Sequence, residues 1–159
     1  MQRSLASTSV AMLALGALVT GCGSYTKRDF VARANAICAG AVRDTRALTP
    51  PRFTGSAARQ RRALAGYLRR AVPIIRTEAR QLRALPRPSQ TAAARRALGR
   101  YLAAVDEVAA RFQALAGAAA AGSGAAVSHA ESALAAIPID SLANAYGLAS
   151  CGTPGATIQ

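Results

Sequence analysis

The chain has 159 residues, which suits one domain and leaves little room for two. Hydrophobic residues make up 52%, but much of that share is alanine, aromatics are 4% and there is no Trp, so a core must be thin and built by close backbone approach. This disfavours sheets, which draw on β-branched and aromatic runs, and favours packed helices, because alanine is the strongest helix former. A net charge of +13 points toward anionic partners such as lipid head groups or cell-wall polymers.

Arg3 places a positive charge at the start, and Val10–Val19 follows as ten residues without a charge. A membrane-spanning helix needs about 20 apolar residues. The run instead has the size of the apolar segment of a secretory signal peptide. Val19-Thr20-Gly21-Cys22 comes next. This segment resembles the lipobox of bacterial lipoprotein signal peptides, in which an aliphatic residue and two small ones precede a modified cysteine. The resemblance implies removal of residues 1–21 and a diacylglyceryl group on the Cys22 thiol. Residues 22–26 then form a short lipidated tether, and the domain sits at the outer face of the cell membrane. Two or more acyl chains anchor stably where one does not.

Setting Cys22 aside leaves Cys38 and Cys151. Outside the cytoplasm such a pair can form one disulfide; two free thiols are the alternative. Neither cysteine has a second Cys or a His at ligand spacing, so a metal site is not expected.

The first helix is expected from Lys27 to Leu48, capped by Thr26 with Asp29 as partner. Phe30, Ala34, Ile37, Ala41 and Leu48 form its apolar face, with Cys38 at the edge. The second is expected from Ser56 to Leu85, burying Leu64, Leu68, Ala71, Ile75 and Leu82, with a kink at Pro73. The third runs from Gln90 to Ala116 with Ser89 as cap, on a face of Leu98, Tyr101, Val105, Val108, Phe112 and Leu115. Residues Gly117 to Gly124 read as a flexible loop. A fourth helix spans Ala125 to Ile137, and Asp140 caps a short last one reaching Ala149. The expectation is an all-α, up-and-down bundle of four helices plus a short C-terminal helix, over residues 27–152, with a disordered tail at 153–159.

Two segments carry a further resemblance. The first helix holds Asn35-Ala36-Ile37-Cys38, and the end reads Tyr146-Gly147-Leu148-Ala149-Ser150-Cys151-Gly152. Together they resemble small secreted or lipid-anchored helical proteins of actinobacteria. The resemblance implies a helical fold and a Cys38–Cys151 bridge, and it implies no activity.

Catalytic chemistry finds little footing. His129 is the only histidine, and no triad or metal set can be assembled around it. Ser123 lacks the G-x-S-x-G spacing, and phosphate loops, dinucleotide fingerprints and haem motifs are missing. No cofactor is expected. Glu78 stands out because helical spacing puts it among Leu64, Ala71, Ile75, Leu82 and Leu85 on the apolar face. A carboxylate there is costly unless paired. It is read as one half of an internal ion pair with an arginine from a neighbouring helix, as part of a face turned away by the kink at Pro73, or as a ligand- or proton-binding acid of the bundle interior. Arg62, Arg69, Arg76, Arg80, Arg83 and Arg87 share the opposite sector, either as a solvated face or as a cationic strip for anionic surfaces. Nucleic acid is not expected as a partner, since no aromatic residues are interleaved with these arginines. The chain therefore reads as a non-enzymatic binding or structural module of the cell envelope. The alternative is a carrier of a small apolar ligand held between helices near Glu78.

Overall fold

A computed structural model describes residues 24–151. Cys22, the signal segment and the tail at 153–159 lie outside the described residues. The chain forms α1 (Lys27–Arg46), α2 (Ala57–Ala84), α3 (Ala92–Ala120), α4 (Gly124–Ala135) and α5 (Ile139–Tyr146). The architecture is the expected all-α bundle of four helices with a short fifth, and Cys38 and Cys151 are joined in a disulfide. α2 and α3 make the central pair; α1 lies against α2, while α4 and α5 lie against α3.

Local chemistry sets most helix boundaries. Thr26 caps α1 in a reciprocal box, its side chain accepting from the Asp29 N–H while the Asp29 carboxylate accepts from the Thr26 N–H. The folded unit also begins earlier than the expected Lys27. The Tyr25 carbonyl accepts from the Ser89 N–H at 3.0 Å, and the Arg33 guanidinium lies over the Tyr25 ring. That contact explains a second difference. Ser89 is held by its backbone against the entry to α1, so Thr91 caps α3 instead, accepting from the Ala94 N–H.

The stretch read as a flexible loop is largely helical. α3 continues through Gly117-Ala118-Ala119-Ala120, and Ala119 is buried. One glycine costs a helix roughly 1 kcal/mol, which three alanines and a buried contact offset. Gly122 then turns the chain at φ 76°, and Ser123 caps α4 through the Ala126 N–H. α2 runs uninterrupted through Pro73. Asp140 lies in the first turn of α5 but makes no cap hydrogen bond. Gly147, at φ 96°, ends that helix, and the Leu148 N–H returns to the Ala143 carbonyl.

Buried side chains gather into two clusters. One joins the first half of α2 to the second half of α3 and to α4, around Leu68, Ala71, Phe112, Leu115 and Val127. The other joins α1, the end of α2, the start of α3 and α5, around Phe30, Leu82, Tyr101, Tyr146 and Leu148. The C-terminal segment docks on α1 at this second core. The Tyr146 ring meets Phe30 edge-on at 5.8 Å, the Asn35 side chain accepts from the Ser150 N–H at 3.0 Å, and the disulfide follows.

Candidate functional site

Where the two cores meet, the bundle is not filled. A cavity of about 200 Å³ lies between α2, α3, the end of α4 and the start of α5. Its walls are mostly aliphatic and aromatic, including Ile75, Val105, Val108, Phe112 and Leu134. Polar groups on the wall are few: Glu78, Tyr101 and Asp140, with Cys151 of the disulfide beside them. Residues from both cores contribute, so the cavity is a seam rather than a hole within either core.

The seam also accounts for a departure from the expected burial. Ile75 on α2, Val105 and Val108 on α3, and Leu134 on α4 occupy inward positions of their helices, and Ile137, expected at the end of α4, lies in the connector beyond it. All are only partly buried, because the cavity takes the space that neighbouring side chains would fill.

Glu78 sits on this seam as the helical spacing requires. Ile75, Glu78 and Leu82 follow one another at intervals of three and four residues along one face of α2, so the carboxylate replaces an apolar side chain in the stripe. It lines the cavity on one side and, on the other, a surface groove between α1 and α2 shared with Ile37, Asp44 and Gln81. No arginine or lysine lines either space. Among the described residues the ion pairs are Arg83–Asp106 and Arg111–Glu107, and no internal arginine partner for Glu78 is present. Partial burial without a compensating charge pushes its pKa up to about 7. Tyr101, across the cavity, is shifted upward as well, first by burial and then by the nearby Glu78 charge. The Tyr101 hydroxyl lies 3.9 Å from the Cys38 sulfur.

Asp140 and Tyr101 escaped the sequence reading as site residues. Tyr101 was legible only as a core aromatic. Asp140 reaches the cavity rim because α5 folds back on α3, a placement no local pattern encodes. His129 is exposed on α4 and lines no part of the cavity. Among the described residues no group of three or more His, Cys, Asp or Glu is placed to hold a metal.

The arginine sector is partly dismantled. Arg62, Arg69, Arg76 and Arg80 are exposed on α2, with Arg80 bonded to the Thr77 hydroxyl. Arg83 is drawn toward α3, pairing with Asp106 and reaching the Leu102 carbonyl. Arg87 lies beyond the end of α2, between Pro86 and Pro88, and so is not part of the helical strip. Among the described residues no helix is long and apolar enough to cross a membrane. Comparison with known proteins finds no matching family model, no matching curated protein and no matching solved structure.

Proposed function

We propose that this protein is a non-enzymatic binding module, exported and lipid-anchored through Cys22, that carries a small and largely apolar ligand in the cavity beside Glu78. One observation carries the reading: a carboxyl group without a protein partner lines an apolar cavity between helices. An unpaired acid in such a place is costly to the fold, so a partner that completes it is the simplest physical reason for it. The cavity is large enough for such a molecule, since an apolar cavity of about 150 Å³ takes benzene. One tyrosine and two carboxyls around an apolar wall suit orientation of a ligand.

The anchor rests on the Val19-Thr20-Gly21-Cys22 segment alone. Mass spectrometry of the protein isolated from membranes tests both halves of the reading. It is expected to show a diacylated N-terminal Cys22 and a co-purifying small molecule. An unmodified Met1 would overturn the anchor, and a bundle that takes up no small molecule would overturn the carrier.

A second reading has its own support. Arg62, Arg69 and Arg76 stand exposed on one side of α2 with no ion pair among the described residues, a cationic strip that suits anionic head groups or wall polymers. Here the protein would press against the envelope surface while its cavity stays on the far side of α2.

A further inference from the structure

We infer that the ligand is a small apolar amine, its ammonium group held by Glu78 and its hydrocarbon body by the aliphatic and aromatic walls of the cavity. This rests on the carrier reading above and names the chemistry of the cargo.

The distribution of charge carries the inference. The chain bears 20 cationic side chains against 7 acidic ones. Three of those seven acids, Asp44, Glu78 and Asp140, line the cavity and the groove on its other side. Among the described residues no arginine or lysine does. A random placement on so basic a surface would surround the opening with arginine. The seam is thus an electronegative spot on an otherwise positive molecule, and it rejects an anionic ligand such as a fatty acid. Glu78 from α2 and Asp140 from α5 line the cavity itself, and Asp44 from α1 shares with Glu78 the groove on its other side.

The remaining walls agree. Tyr101 and Phe112 present aromatic rings to the cavity, and ring faces attract a desolvated cation. The volume of about 200 Å³ sets the size at a molecule somewhat larger than benzene. An ammonium arriving at Glu78 gives the carboxylate the partner that the protein withholds. It also draws the acid into its ionised form, because a nearby positive charge favours the charged state.

Three probes of one size and different charge test this: benzylamine, benzyl alcohol and benzoate. Each is titrated into the full chain and followed by NMR at the Tyr101 ring and the Val105 and Val108 methyls. Benzylamine is expected to bind at least about tenfold more tightly than benzyl alcohol, the scale of a hydrogen bond to a charged group, and benzoate most weakly. Benzylamine binding should strengthen from about pH 6 to about pH 8 as Glu78 ionises, while benzyl alcohol binding stays flat. Asp44 in the groove, and Asp140 and Tyr101 in the cavity, are the other titratable groups that line these spaces with it. Glu78→Gln should bring benzylamine down to the level of the alcohol and leave the alcohol unchanged. The pH series on the unaltered protein stands even if the variant fails to fold. Equal binding of amine and alcohol, or tightest binding of benzoate, would overturn the amine and leave the carrier reading intact. Failure of all three to bind would overturn both.

Discussion

The core at the disulfide end is built from Phe30, Tyr101, Tyr146, Leu82, Leu98 and Leu148, and it closes on the Cys38–Cys151 bridge. The core at the α4 end leans on alanine, with Ala65, Ala71, Ala119 and Ala130 among its buried members, and it has no covalent tie. The first buries large rings between elements far apart in sequence. The second is local: α2, α3 and α4 follow one another and pack by close backbone approach. The two kinds of packing meet at Ile75–Glu78 on α2 and Val105–Val108 on α3. The space left where they meet is the cavity. In this molecule the cavity lies at the junction of two cores rather than within either one.

The comparison is tested most severely by breaking the bridge. Replacing Cys38 and Cys151 by serine should cost about 4 to 5 kcal/mol by loop entropy, as an upper figure for so long a loop. Urea denaturation measures the total, and hydrogen exchange locates it. Amides of α1 and α5 are expected to lose protection before those of α4. A uniform loss would mean that the two cores act as one.

On the other side, Leu68 is fully buried in the alanine-rich core. Leu68→Ala should cost about 2 to 5 kcal/mol, with the smaller values if the close-packed helices collapse around the gap. Thermal melts of this variant in oxidised and reduced protein show whether the bridge protects a core it does not touch. Additive losses are expected.

The seam itself gives the smallest effect, and it depends on pH. The Glu78 pKa rises from 4.5 to about 7 on folding, so the folded state favours the protonated acid. Its contribution to stability is full below pH 4.5, is lost as pH rises through about 7, and is flat above that. The loss is at most about 3 kcal/mol. Glu78→Gln should therefore gain on the unaltered protein between pH 4.5 and about pH 8. Unfolding free energies at those two pH values check it, and a constant difference would contradict the seam as described.

Much of the fold was legible because the signals are local. Apolar spacing, the Thr26–Asp29 box and the proline breaks fix the helices to within a few residues. The exceptions have tertiary causes. Ser89 is taken from its expected capping role by a backbone bond to Tyr25, and α3 outruns Gly117 because Ala119 is buried. Of the site, Glu78 could be found from helical spacing alone. Its missing partner could not, since that depends on which arginines the neighbouring helices bring near. The cavity was invisible for the same reason: a stripe of Val, Ile and Leu looks identical whether it meets side chains or empty space.

The bridge has a consequence of another kind. Cys38 and Cys151 stand 113 residues apart, so the bridge closes the chain between them into a covalent ring, and α2, α3, α4 and α5 all lie within it. One cut in any connector inside it, such as the exposed arginine- and proline-containing stretch between α1 and α2, opens the ring without dividing it. The nicked protein stays a single covalent object, and the strand bearing its N-terminus still holds the rest. A first cut between Cys38 and Cys151 sets no piece free; that takes a second cut within the ring.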